Sequence, residues 1–415
     1  MTSKYFPINT QTACRLKWAW SSLYLNTGTT GSCHRASVST LTLEDFDNFH
    51  NTPAKLEARK LMLDGKWPGN GCEYCQDIES AGGQSDRQFQ NNIPDVYPDV
   101  LDRDSTAINV QPSVLEVFFS NVCNFKCVYC KSSLSSQIQA EEQKFGSPII
   151  KVGHKPLDNT YKNYAPAFWK WFRLHGHDLQ RLNILGGEPF IQKDFFELLK
   201  YYQQNPNPSL EFNVVTNLHV TEERLRNICD SLQNLHINSH VKRVDILVSI
   251  DSWGPGQEYV RHGFNREIFE RNLKILTEYK VFRIGLLSTV CSLTINELPE
   301  LADKFQEWNT WQEIFWYMHL VLPNNDSPFS PALFDYGVFE DAINRTLTLM
   351  PTNTWDEKQT VDTFKGIVSK IKENSQDNTA RQKELIDILN NIDSRRGLNW
   401  QQSFPWLNEK MKNVV

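Results

Sequence analysis

The stretch VLEVFFSNVCNFKCVYCKSS, residues 114–133, joins an apolar run to three cysteines. VLEVFFS (114–120) is dominated by β-branched and aromatic residues and reads as a strand. The cysteines follow it directly, with three residues between Cys123 and Cys127 and two between Cys127 and Cys130. Thiolates suit zinc or an iron–sulfur cluster. A closed structural zinc site takes four protein ligands. No fourth cysteine or histidine lies in this stretch, so one position is left open.

Outward from this point, strand-like and helix-like runs alternate. RLNILGG (181–187), LEFNVVTN (210–217), VDILVSID (244–251), RIGLLSTV (283–290) and EIFWYMHLV (313–321) read as strands. Helical patterns lie between them at 194–204, 221–233, 266–279 and 296–308, the first with Asp194 and Glu197 in capping-box positions. Six strands alternating with helices imply parallel βαβ units and an α/β fold. Six units make a partial (β/α)6 TIM-type barrel over 110–322. Its active site is expected where the cysteines lie, at the C-terminal ends of the strands.

The flanks differ in texture. Residues 1–105 are irregular and carry four cysteines, and 323–415 show helical patterns near 333–349, 356–373, 379–392 and 402–412. LPNNDSPFSP (322–331) separates barrel from tail, and ENSQDNTARQ (373–382) reads as a turn between helices. The segment 134–160 is an insertion with a helix expected at 135–145.

With 40 % hydrophobic and 22 % charged residues the composition is globular, and 415 residues allow two or three domains. A net charge of −6 gives no support to a nucleic-acid partner. No apolar run is long enough to span a membrane, and the start MTSKYFPINTQTAC does not read as a signal peptide, so a cytoplasmic protein is expected. Nine cysteines without a signal argue against a disulfide framework. Cys229 and Cys291 stand singly in apolar segments and read as buried small hydrophobes.

The Cys123-x3-Cys127-x2-Cys130 motif, with the aromatic Tyr129 before its last cysteine, resembles that of the radical S-adenosylmethionine (SAM) superfamily. GGEP (186–189), after the second strand, resembles that family's motif for the SAM amine, through Gly186, Gly187 and Glu188. Ser249 and Asp251, two apart and so on one side of the fourth strand, match the polar pair near the ribose. Arg261 matches a position paired with the SAM carboxylate. Thr216 and Asn217 end the third strand at the same rim. The resemblance implies a [4Fe–4S] cluster on Cys123, Cys127 and Cys130, with its fourth iron open to SAM. It further implies a one-electron reductant such as flavodoxin or ferredoxin.

A second group has its own grammar. Cys14 is followed by thirteen residues, Gly28, four residues and Cys33, and GCEYC then supplies Cys72 and Cys75. The pattern resembles SPASM/twitch domains, which hold auxiliary [4Fe–4S] clusters, although there the domain usually follows the barrel. ESAGGQSDRQ (79–88) resembles the tail of chains with such a leading domain. Four cysteines also suit a single zinc ion.

Enzymes with auxiliary clusters often modify peptides or proteins, so the resemblance implies such a substrate. Small-molecule chemistry on a carbohydrate, amino acid or nucleotide is the second expectation, and a non-enzymatic iron–sulfur or zinc scaffold the third. His219 and His262, near the rim, read as packed or solvated residues. WKWF (169–172) reads as packing, and SRRGLNW (394–400) as a solvated turn.

Overall fold

The computed structural model describes residues 10–33, 38–69, 71–80, 84–92, 107–151, 158–321, 327–373 and 377–412. Parts of several expectations lie outside them, among them 81–83 of the twitch-like tail, 152–157 of the 134–160 insertion, 322–326 of the LPNN segment and 374–376 of the polar turn. The expected boundaries at 105, 322 and 323 also lie outside the described residues. The chain divides into two compact units, one of 1–121, 157–214 and 234–244, the other of 122–156, 215–233 and 245–415. These units cut across the three segments expected from the sequence, and the division falls inside the helix Glu222–Ile237 and the strand Val241–Ser249.

In the first unit the strand Val114–Phe118 is paired in parallel with Arg181–Leu185, which is paired in parallel with Asn207–Thr216 as far as Val214. Val114, Leu115, Val117, Leu182, Phe212 and Val214 are fully buried. Such near-continuous burial belongs to parallel strands covered on both faces. The other edge of Val114–Phe118 is taken by Trp20–Tyr24, again in parallel, followed by antiparallel Thr29–Gly31 and Ser39–Thr40. The N-terminal segment therefore extends the sheet, a correction to its reading as irregular. WSSLY gave no apolar alternation because its serines are buried hydrogen-bond donors: Ser22 Oγ donates to Glu116 Oε1 at 2.7 Å.

The helix Lys193–Gln204 buries Phe195, Leu198, Leu199 and Tyr202, spaced to line one face. The capping box expected of Asp194 and Glu197 does not form. The helix starts two residues earlier than that motif requires, with Gln192 at the N-cap position. Asp194 instead accepts from Tyr161 Oη at 2.5 Å and Trp169 Nε1 at 3.0 Å. Both donors lie on the helix Tyr161–His175, which carries WKWF, and Phe168, Trp171 and Phe172 there are core residues.

In the second unit the strands Phe282–Val290 and Ile314–Leu320 are paired in parallel. Ile314–Leu320 alternates buried and half-buried positions, the period of two that marks one covered face. Arg266–Glu278 and Leu298–Asn309 supply the intervening helices. All six expected strands form, and the fold is α/β with a mostly parallel sheet, consistent with a partial barrel. The tail is helical: Glu340–Leu349, Trp355–Lys372, Thr379–Arg396, Trp400–Ser403 and Pro405–Met411. Thr354 and Glu357 form a capping box at the start of the second of these, and Gly397, at φ 67°, ends the third. Among the described residues no helix is long and apolar enough to cross a membrane.

Candidate functional site

The three-cysteine loop is fixed by backbone before any cofactor is considered. Lys126–Cys127 forms a short antiparallel ladder with Arg261–His262, placing Cys127 opposite Arg261, and Val128 N donates to Val260 O at 2.8 Å. Ser136 Oγ, at the start of the helix Ser136–Phe145, bridges Cys123 N and Cys123 O, both at 3.2 Å. Ser135 caps that helix and also donates to Phe125 O at 2.7 Å. Gly263 is obligatory beneath the loop: at φ 112° an added Cβ would lie 2.8 Å from Phe125 Cδ1 and 3.1 Å from Asn124 O. Burial pushes the Cys127 thiol up to about 12, with Arg261 pulling it down, and raises Cys130 as well. These thiols lose their protons readily only to a metal.

Asp251, fully buried, is the centre of the polar network behind the loop. Its Oδ2 accepts from Arg261 Nε at 2.9 Å and Tyr129 Oη at 2.5 Å, and its Oδ1 from Arg261 Nη2 at 2.8 Å and Thr289 N at 2.9 Å. The guanidinium also stands 5.8 Å from the centre of the Tyr129 ring. Tyr129, Asp251 and Arg261, each expected to face SAM, are thus brought together and bound to one another. A ribose contact by Asp251 requires one of these four bonds to be given up. Ser249 is half-buried at the end of its strand.

Thr216 and Asn217 are also placed by the loop's surroundings. Thr216 Oγ1 accepts from Leu218 N at 2.9 Å, holding Leu218 at φ 62°. Asn217 Nδ2 donates to Asn124 Oδ1 at 2.7 Å, so the end of the third strand is tied to the residue after Cys123. His219 has Nδ1 2.9 Å from Asn217 O and Nε2 2.8 Å from Asn265 N, with Phe125 edge-on at 4.8 Å. Burial lowers its pKa, and it is a packed residue as expected. The His262 imidazole is pushed down to about 4 by burial and by Lys126 and Arg396.

GGEP belongs to the first unit. Gly186 and Gly187 have φ of 82° and 57°. A Cβ on Gly186 would meet Phe118 Cδ1 at 2.6 Å and Phe118 Cα at 3.2 Å, so only glycine lets the turn lie on the first strand. Glu188 is 1 % exposed, and its Oε1 accepts from Phe190 N at 3.0 Å. Gln192 fastens the turn, donating to Gly186 O at 2.6 Å while its Oε1 accepts from Ser120 N at 3.3 Å and Ser120 Oγ at 3.1 Å. A buried carboxylate on a turn that two glycines keep clear of side chains fits an ammonium ligand.

Cys14, Cys33, Cys72 and Cys75 line one cavity in the first unit, with Lys17, Met62, Trp67, Asp86 and Arg87 also on its wall. Gly28, in the motif, holds φ 63°, and a Cβ there would strike the Tyr164 ring at 2.8 Å. Among the described residues no three His, Cys, Asp or Glu side chains are grouped to hold a single metal ion. Zinc thiolates at ~2.3 Å would draw the sulfurs close together. Four cysteines on one cavity wall suit zinc or an iron–sulfur cluster.

Residues 117–305 match the family model of the radical SAM superfamily. That segment is similar to a radical SAM domain. Such a domain is the catalytic unit of enzymes that work by radical chemistry, and it implies a [4Fe–4S] cluster and SAM. Among curated proteins, GTP 3′,8-cyclase of Haemophilus ducreyi is 24 % identical over 200 residues, which are 48 % of this chain and 49 % of that protein. The chain thus spans about half the length of that relative. Among solved structures, native anSMEcpe with bound AdoMet and Kp18Cys peptide is 18 % identical, covering 57 % of this chain and 59 % of its own, at a TM-score of 0.37. Streptococcus suis SuiB is 14 % identical, covering 71 % and 62 %, at TM-scores of 0.39 bound to S-adenosylmethionine and 0.37 bound to precursor peptide SuiA.

The three-cysteine loop leans on residues that the motifs did not reveal. Arg396, expected in a solvated turn, is 2 % exposed in its side chain. It donates to Lys126 O at 2.7 Å and to both oxygens of Glu141 at 3.0 and 2.9 Å. Neighbouring Arg395 donates to Ser147 O at 2.8 Å. Two adjacent arginines in the last turn of a helix were the available signal. Gln192 had none, since its role depends on a glycine six residues earlier.

Proposed function

We propose that this chain is a radical SAM enzyme in which Cys123, Cys127 and Cys130 hold a [4Fe–4S] cluster and leave one iron to SAM. The observation that carries the reading is the clamped three-cysteine loop within a segment similar to a radical SAM domain, followed in order by the glycine-strained GGEP turn. When bound, the cluster and SAM supply a 5′-deoxyadenosyl radical that takes a hydrogen atom from an unreactive carbon of the substrate.

The chain's own residues bind and orient. Gly186 and Gly187 offer backbone, and Glu188 accepts from the SAM ammonium. Arg261 uses Nε and Nη2 on Asp251, which leaves Nη1 for the SAM carboxylate. Ser249 takes the ribose, with Asp251 holding Arg261 and Tyr129 in place. Thr216 and Asn217 shape the rim. Cys14, Cys33, Cys72 and Cys75 hold a second, fully ligated [4Fe–4S] cluster, in a leading twitch-like region of residues 1–105.

The substrate assigned is a peptide or protein, a reading supported by the auxiliary-cluster pattern. A small molecule is the second reading, favoured by the likeness to GTP 3′,8-cyclase, which suits a nucleotide best among the candidates. Anaerobically reconstituted protein with a flavodoxin or ferredoxin as reductant should cleave SAM to 5′-deoxyadenosine and methionine. Replacing Cys123, Cys127 and Cys130 by alanine should abolish cleavage. Persistent cleavage in that variant would overturn the assignment.

A further inference from the structure

Beside the four-cysteine cavity lies a group of buried cations that the reading above leaves without a role. Lys17 and Lys55 are each 5 % exposed and Arg59 is 0 % exposed. Lys17 is on the cavity wall, its ammonium 2.8 Å from Ser32 Oγ, and its charge acts to lower the pKa of the Cys72 thiol. Lys55 Nζ donates to Ser21 Oγ at 2.9 Å, Thr30 Oγ1 at 2.8 Å and Phe49 O at 2.8 Å. Arg59 donates to Lys17 O at 2.7 Å, Asn51 Oδ1 at 2.8 Å, Ile108 O at 2.7 Å and His50 O at 2.9 Å. All these acceptors are neutral. Among the described residues none of the three cations has a carboxylate at ion-pair distance.

The other charges near the cavity do not fill that need. Arg87 is already paired with Glu79, at 2.5 Å. Asp86 is on the cavity wall near Cys75, and Glu73 acts on Cys72. A buried cation without an anion is costly, and proteins normally pair it or strip its proton. Burial, with Arg59 and Lys17 nearby, pulls the Lys55 ammonium well down, and Cys33 as a thiolate acts in the opposite sense. The anion that would settle all three cations therefore belongs where the cysteines are. Four thiolates around an oxidised [4Fe–4S] core are a dianion, and one added electron makes a trianion.

We infer that Lys17, backed by Lys55 and Arg59, is the built-in counter-charge of an anionic four-thiolate centre and sets the potential at which that centre accepts an electron. The inference rests on the second-cluster reading. Reduction transfers one electron from an external reductant to the centre and breaks no bond. The cations favour the more negative state, so removing one should make the centre harder to reduce.

The test uses the full chain with Cys123, Cys127 and Cys130 replaced by alanine, reconstituted with iron and sulfide and titrated with dithionite while the paramagnetic signal is followed. In that background Lys17→Gln should lower the reduced-to-oxidised ratio about tenfold at the parent's midpoint, about 59 mV for one electron, with iron content unchanged. Lys17→Arg should stay near the parent, and Lys55→Gln should shift the same way as Lys17→Gln. Loss of iron in Lys17→Gln that Lys17→Arg restores shows the same demand for charge during assembly and supports the inference. Loss in both, or intact iron with an unmoved midpoint in Lys17→Gln and Lys55→Gln, overturns the inference alone. Zinc or no iron in the parent overturns it together with the second-cluster reading.

Discussion

Arg261 meets Asp251 through two parallel hydrogen bonds of 2.9 and 2.8 Å, while its own backbone is laddered to Cys127. One residue thus couples the end of the fourth strand to the cysteine loop by side chain and main chain together. The pair is almost wholly buried, with side-chain exposures of 10 % and 0 %. Removing one member of a buried pair leaves the other charge uncompensated, at a cost of ~3–5 kcal/mol. Arg261→Met should therefore lower stability by about that amount. It should also reduce the iron held by the Cys123 loop. Arg261→Lys should retain the charge but lose the two-pronged geometry, and fall between. Thermal unfolding with iron analysis checks both, and full stability in Arg261→Met would remove the pair from the loop's support.

Glu188→Ala should weaken SAM binding more than cluster assembly. A hydrogen bond to a charged group contributes ~1.5–3 kcal/mol, which is roughly ten- to a hundredfold in affinity. Because Glu188 also accepts from Phe190 N, Glu188→Gln is the companion variant: it preserves that acceptor and removes the charge. Titration of SAM should show a loss in both variants with iron content unchanged. Wild-type affinity in both would exclude Glu188 from the ammonium site.

Arg396→Ala should loosen the loop from a distance in sequence. The guanidinium closes on Glu141 and on the carbonyl of Lys126, the residue before Cys127. Arg396, with Lys126, holds the Glu141 carboxyl below its usual range against the opposing effect of burial. The loss should be ~3–5 kcal/mol, as for other buried pairs, with faster hydrogen exchange in 123–130 and 136–145. Exchange unchanged in both segments would show that the tail helix does not brace the loop.

What was legible in the sequence follows from which interactions are local. The six expected strands announced themselves as apolar runs, near-continuously buried in Val114–Phe118 and covered on one face in Ile314–Leu320. The cysteine spacing and GGEP were readable because both lie within a few residues of chain. Trp20–Tyr24 was not, since its serines look like loop residues until Glu116, His50 and Lys55 are found beside them. Arg396 offered a signal in its place in a helix's last turn, but not its partners, since Glu141 and Lys126 lie 255 and 270 positions away. Asp194 matched a capping motif, but Tyr161 and Trp169 claimed its carboxylate. Spacing along the chain reveals a ligand set; it does not reveal which polar side chain another segment will engage.

The last prediction separates the two cysteine groups. Cys72 and Cys75 lie at the start of the helix Glu73–Ser80, which has no buried residue of its own to hold it. Cys14, by contrast, precedes Arg15–Ala19, all of whose residues are buried. A metal centre on the four cysteines would therefore tie a weakly packed helix to a well-packed one, and metal binding would contribute to folding there. Replacing Cys72 and Cys75 by serine should lose the iron that remains when Cys123, Cys127 and Cys130 are absent. It should also raise hydrogen exchange across 72–80 while leaving the Val114–Phe118 strand protected. In the otherwise wild-type chain, the same two substitutions should leave the SAM-sensitive paramagnetic signal in place. Retained iron with unchanged exchange would show that these cysteines hold no centre, and the assignment of the barrel loop would stand independently.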